Sequence, residues 1–189
     1  MSFMLTAVAL AALLAGQQAE KPIVPISLTT VEGKQVTVPD PNAKATVLVF
    51  LLTDCPIANR YAPELKRIEK DYAERDVKFL RVYVYAEATI ESIKLHTKQF
   101  DYKWPAIHDF DHKLVKAVDA RVTPEVAVLT PDGKLQYKGR IDDWYIEHGR
   151  LRELDYRKDL RIALDELLNG EQVSVPRTPA IGCFIEITD

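Results

Sequence analysis

Ala45-Thr46-Val47-Leu48-Val49-Phe50-Leu51-Leu52-Thr53-Asp54-Cys55-Pro56-Ile57-Ala58-Asn59 decides the fold. Its first eight residues form a continuous apolar, β-branched run, the pattern of a strand buried on both faces of a mainly parallel sheet. Directly after it comes Cys55-Pro56. Proline suits the first position of a helix, because the N–H it lacks would have no intrahelical partner there. Tyr61, Leu65, Ile68 and Tyr72 then repeat at helical spacing, with Lys66, Arg67, Glu69 and Lys70 around the other face. Cys55 therefore falls at a strand-to-helix turn, at the carboxyl end of a sheet strand, where open α/β sheets carry their sites. A sulfur in the N-cap position meets free backbone N–H groups and the positive end of the helix dipole. Both favour a thiolate. Asp54 opposes them by like-charge repulsion.

Upstream, Ile26–Thr30 and Gln35–Val38 alternate around Glu32-Gly33-Lys34, which predicts a hairpin. Downstream, Val77–Tyr85 is a second strong strand, and Thr89 is placed to cap a helix carrying Ile90, Ile93 and Phe100. Trp104–Ile107 is short and extended, and Leu114, Val115 and Val118 suggest a short helix. Glu125–Thr130 and Leu135–Gly139 flank Pro131-Asp132-Gly133-Lys134, a hairpin with turn chemistry at its centre. Asp155 is the expected cap of a last helix bearing Leu160, Ile162, Leu164, Leu167 and Leu168, closed by Asn169-Gly170. The order, β-hairpin then βαβα then ββα, predicts an α/β fold with a mixed central sheet.

With 189 residues, 47% of them hydrophobic and 28% charged, the chain can bury one substantial core. A net charge of −3 with interleaved signs excludes a nucleic-acid footprint, which needs a basic face. Residues 1–19 carry no charged side chain, and Met4–Leu14 is an apolar run interrupted only by Thr6. That is short for a bilayer span and fits a secretory signal peptide with a small-residue cleavage zone. Residues 1–19 are therefore expected to be a signal, 20–170 the domain and 171–189 a proline-punctuated tail. Export to the periplasm or the cell exterior is the expectation, with no stable membrane anchor after cleavage. Only two cysteines are present, Cys55 and Cys183.

Phe50–Asn59 resembles the strand-to-active-site segment of the thioredoxin superfamily. Cys55 matches the family's nucleophile and Pro63 the proline inside its first active-site helix. Val122-Thr123-Pro124-Glu125 is similar to its cis-proline segment. The Ile26–Val38 hairpin and Trp104–Asp109 resemble the AhpC/TSA-like, peroxiredoxin-like redoxin branch. The resemblance covers about Ile26–Gly170 and implies a thioredoxin-like sheet flanked by helices. It implies a reactive Cys55 beside a substrate groove of Asp54, Pro56, Thr123 and Pro124, with Arg121 placed either to stabilise a thiolate or a peroxide oxygen or to form a surface ion pair. Two departures qualify it. Position 58 is alanine, so no Cys-x-x-Cys dithiol exists, and Leu52 stands where peroxiredoxins place a threonine.

Cys183 is then a candidate resolving cysteine, should the tail fold back; alternatively the two cysteines form a permanent bridge. The resemblance implies thiol–disulfide exchange on protein partners, slightly ahead of peroxide reduction, with no cofactor. The competing class is a redox-inert binding module with a locked Cys55–Cys183 bridge. Copper handling, as in some thioredoxin-like assembly factors, wants two close cysteines and a histidine, and the local pair is absent. His108-Asp109-Phe110-Asp111-His112 reads as a solvated turn rather than a metal cluster. His96 is expected to be exposed, and His148 to sit in a packed surface insertion, Asp142–Tyr156, with Trp144 and Tyr145.

Overall fold

The computed structural model describes residues 21–187, so the expected signal peptide lies outside the described residues. The chain opens with a hairpin of β1 (Ile26–Thr29) and β2 (Gln35–Val38), paired antiparallel. The apolar run becomes β3 (Ala45–Leu51), buried at every position, and leads into α1 (Pro56–Ala73). There follow β4 (Val77–Tyr83), α2 (Ile90–Gln99), β5 (Ala106–His108), α3 (Lys113–Val118) and β6 (Val122–Thr123). After them come β7 (Glu125–Leu129), β8 (Leu135–Gly139), β9 (Tyr145–Glu147), β10 (Arg150–Leu151), α4 (Asp159–Leu168) and β11 (Cys183–Phe184).

The central sheet runs β5-β4-β3-β7-β8. β3 is parallel to β4, and β4 to β5, while β7 and β8 are antiparallel additions. The fold is therefore the expected mixed sheet of an α/β protein. β3 shows why its sequence does not alternate. Ala45, Val47, Val49 and Leu51 pack against Tyr61, Leu65, Ile68 and Tyr72 of α1 and Leu160 and Leu164 of α4. Leu48 and Phe50 pack on the opposite face with Val38 of the hairpin and Leu114, Val115 and Val118 of α3. Both faces are covered, so every second residue must be apolar on each side.

Thr89 caps α2 as expected and closes a capping box with Ser92, each side chain accepting from the other residue's backbone N–H. The last helix corrects the sequence reading. It begins at Asp159, with Lys158 in the cap position, and Asp155 has a left-handed φ of 55°. The intervening residues are held instead by Asp143, whose side chain accepts from the Arg157 N–H at 2.5 Å, and by Asp159, which pairs with Arg140 at 2.7 Å and Arg157 at 2.9 Å.

The expected solvated turn at residues 108–112 is also corrected. Asp109 and His112 are buried, at 2% and 1% exposure. Asp109 accepts from the Leu114 and Val115 N–H groups at 3.0 Å, satisfying donors that open α3. His112 Nε2 donates to the Val84 carbonyl at 2.8 Å. Among the described residues no group of three or more His, Cys, Asp or Glu is placed to hold a metal ion. Among them, too, no helix is long and apolar enough to cross a membrane.

Candidate active site

Cys55 is the N-cap of α1. Its backbone is extended (φ −72°, ψ 111°), Pro56 opens the helix, and the Ala58 N–H points at Cys55 Sγ from 3.5 Å. The thiol donates to the Thr123 carbonyl at 3.1 Å. That carbonyl belongs to the Thr123–Pro124 peptide, which is cis, as the resemblance implies. The turn around it is fixed by Glu125, which accepts from the Arg121 N–H at 2.7 Å.

The tail completes the site. β11 pairs antiparallel with β6, placing Cys183 opposite Thr123 and Phe184 opposite Val122. The Ile185 N–H donates to the Arg121 carbonyl at 3.0 Å and extends this ladder. Gly182 makes the approach feasible, because a Cβ there would lie 2.0 Å from the Thr123 carbonyl oxygen. His148 holds the same segment, donating from Nε2 to the Gly182 carbonyl at 2.9 Å. Both cysteines are thiols; Cys55 is 1% exposed, whereas Cys183 is only half-buried.

Burial alone raises the Cys55 pKa, because it disfavours the anion. The hydrogen bonds outweigh it: the Cys183 thiol, the Ala58 N–H, the Thr123 hydroxyl and the Cys183 N–H all favour the thiolate, and the net shift is downward. The Thr123 hydroxyl is buried and has no hydrogen-bond partner while Cys55 is a thiol. An anionic sulfur next to it offers that orphaned donor an acceptor. Cys183 moves the opposite way. Burial, then its role as donor to Cys55, then repulsion from a Cys55 anion push it up to about 12. The pair thus divides into one sulfur built to hold negative charge and one built to keep its proton.

The other expected site residues serve differently. Asp54 is exposed and, with Leu52, Val84, Tyr85, Phe184 and Glu186, lines a cleft of about 270 Å³ beside the cysteine pair. Pro56 is exposed at the helix start. The Arg121 side chain turns to solvent and pairs with Asp119, so it is the backbone of Arg121 that serves the site.

Sequence reasoning missed the support behind Cys55. His96 is 4% exposed, not solvated, since α2 packs it inward. Its Nδ1 accepts from the Tyr83 hydroxyl and its Nε2–H donates to Asn59 Oδ1, both at 2.8 Å, while Asn59 Nδ2 donates to the Thr53 carbonyl at 3.0 Å. Burial first, and the nearby Arg81 cation second, depress His96 to about 4, keeping it neutral. The loop before Cys55 is thereby tied to the core by a neutral chain. Arg81 itself is 1% exposed and gives its protons to the Trp104 carbonyl, Thr97 and Tyr83. In the 142–156 insertion, Asp142 accepts from the Tyr61 hydroxyl at 2.6 Å, and Trp144 packs edge-on and Tyr145 at a tilt against Tyr61, fastening the segment that carries His148 to α1. A histidine among polar helix residues and an aspartate in a loop carry no local sign of burial in the sequence.

Against this geometry, the Redoxin family profile matches residues 15–144. The chain belongs to the Redoxin family. Among its relatives, a thiol-disulfide oxidoreductase ResA from Bacillus cereus is 26% identical over 111 residues, 59% of this chain and 63% of the relative's own length. The redoxin is 31% identical to an uncharacterized conserved protein of Geobacillus kaustophilus, with a TM-score of 0.76 over 89% of this chain and 91% of that one. It also shares its fold with a hypothetical protein of Sinorhizobium meliloti (24% identity, TM-score 0.77, covering 92% of this chain and 96% of the other). In fold and sequence it is thus a thioredoxin-superfamily redoxin, as the motif order around Cys55 implies.

Proposed function

We propose that this redoxin is an exported thiol–disulfide oxidoreductase whose redox pair is Cys55 with Cys183, acting on protein thiols or disulfides. The carrying observation is the β6–β11 ladder: it pairs Cys183 with Thr123, whose carbonyl accepts the Cys55 thiol proton, although 128 positions separate the two cysteines (183 minus 55). A Cys-x-x-Cys protein supplies its second sulfur one helical turn along. Here residue 58 is alanine, and the pairing of the tail with β6 supports Cys183 as the second sulfur instead. Disulfide exchange needs a stabilised thiolate as attacking or leaving group, and the donors around Cys55 provide it. The name of the Bacillus relative supports exchange over peroxide reduction as the chemistry. The charge-free, apolar Met4–Leu14 run supports export, into a compartment where a disulfide can persist.

The test is a redox titration of the protein in glutathione buffers of graded ratio, followed by acid quench and intact mass. A Cys55–Cys183 disulfide that forms and opens reversibly without denaturant is the expected result, lost in Cys55→Ser and in Cys183→Ser. Failure of the bridge to form removes the proposal. A bridge that opens only after unfolding replaces it with the redox-inert binding module.

A further inference from the structure

Resting on that reading, we propose that Cys183, not Cys55, is the sulfur that exchanges with the partner: the mixed disulfide with a protein dithiol forms on Cys183, and Cys55 is the internal leaving group. Three features carry this. Cys55 lies at 1% exposure behind the cis Thr123–Pro124 peptide and the N-terminal turn of α1, where Ile57 and Ala58 are also buried. β11 lies over it, hydrogen-bonded to the strand edge of Val122 and Thr123 that an incoming chain would need in order to reach it. Cys183 is half-buried, and its neighbour Phe184, 77% exposed, lines a cleft with Leu52, Asp54, Val84, Tyr85 and Glu186. The accessible sulfur of the pair is therefore on the tail.

The chemistry follows this geometry. Attack at a disulfide sulfur sends the bonding electron pair to the sulfur behind it. A partner thiolate attacks Cys183 Sγ, the Cys183–Cys55 bond breaks, and Cys55 leaves as a thiolate received by the Ala58 N–H and the Thr123 hydroxyl. The partner's second thiol, having lost its proton to solvent, attacks the partner sulfur of the mixed disulfide. Cys183 then leaves with the electron pair and takes up a proton. The partner is oxidised by two electrons to a disulfide and gives up two protons; the redoxin is reduced, Cys183 taking one proton and Cys55 either keeping its thiolate or taking the other from solvent. The partner-facing sulfur and the charge-bearing sulfur are different residues, whereas a Cys-x-x-Cys site joins both roles in its first cysteine.

Peptide mapping tests the proposal. The oxidised protein is mixed with reduced glutathione, quenched in acid at short times, unfolded, alkylated and digested. Glutathione on Cys183 with the alkyl group on Cys55 is expected. The reverse distribution overturns the proposal. Single-cysteine variants provide a measurement that does not depend on trapping the intermediate. In Cys55→Ala and Cys183→Ala, glutathionylation by glutathione disulfide is followed across pH, and each rate is divided by the thiolate fraction. Cys183 should react at least about tenfold faster per thiolate than Cys55 after each rate is also corrected for the measured thiol pKa with a Brønsted slope of about 0.4–0.5; equal corrected rates, or a faster Cys55, overturn it. If the oxidised protein holds no Cys55–Cys183 bridge at all, the redox-pair reading fails. If the bridge forms but glutathione lands on Cys55, only the inference about Cys183 fails.

Discussion

Cys183 stands directly opposite Thr123 in an antiparallel ladder, and the Thr123 carbonyl accepts the Cys55 thiol proton at 3.1 Å. One residue, Thr123, thus neighbours both cysteines. The carbonyl faces the N-terminus of α1, and the glycine preceding Cys183 lets the tail approach it closely. The sheet edge, the helix N-terminus and the tail are three separate elements that meet at this residue.

The first prediction concerns the Cys55 thiolate. Cys183 heads the groups that lower the Cys55 pKa, so Cys183→Ala should raise it while burial continues to act in the opposite sense. Thiolate absorbance or alkylation against pH gives the value directly. An unchanged midpoint in the variant would show that Ala58 and Thr123 alone hold the anion.

Gly182 is the position at which the tail is most easily dislodged. Alanine there would put a methyl group 2.0 Å from a backbone oxygen, which cannot move aside as a flexible side chain would. Gly182→Ala is expected to separate β11 from β6, to abolish or slow Cys55–Cys183 bridge formation, and to speed labelling of Cys55 by bulky thiol reagents. The global stability should fall by only about 1–3 kcal/mol, since a two-residue strand is lost rather than the core. Bridge formation at the wild-type rate would mean that the tail tolerates another register.

His148→Ala probes the same tail more gently. One hydrogen bond to the Gly182 carbonyl disappears, a loss of about 1 kcal/mol. The expected result is faster hydrogen exchange at the N–H groups of the β6–β11 ladder, with α1 and the central sheet unaffected. Slowed or unaltered exchange there would remove His148 as a clamp.

His96 makes stability depend on pH. Its folded pKa of about 4 lies below the unfolded value of about 6.5, so the unfolded chain binds the proton more readily between the two. The stability contribution of the neutral ring is complete above about 6.5 and is lost as pH falls toward 4, by up to about 3 kcal/mol. Denaturant midpoints for wild type and His96→Gln should converge as pH is lowered through this window. A constant offset between the two curves would mean that the ring titrates normally.

Most of the sheet was legible because its signals are local. The doubly apolar β3, the Cys55-Pro56 turn, the Thr89 cap and the Pro131–Lys134 turn each act through neighbouring residues, and each formed as expected. The start of the last helix was misplaced because side chains distant in sequence hold residues 142–157 in place of a local cap at Asp155.

At the site, the sequence alone determined where one cysteine sits: at the N-cap of a helix after a buried strand, where it meets N–H donors whatever the rest of the chain does. It also determined that no second sulfur stands one turn later, because residue 58 is alanine. Only the tertiary structure decided where the second sulfur comes from, and that His96 is a buried neutral link rather than a surface group. Both depend on contacts between segments far apart in the chain, such as Gly182 against Thr123 and α2 against Asn59. Such contacts arise from packing geometry, and the residue types on either side carry no local mark of it.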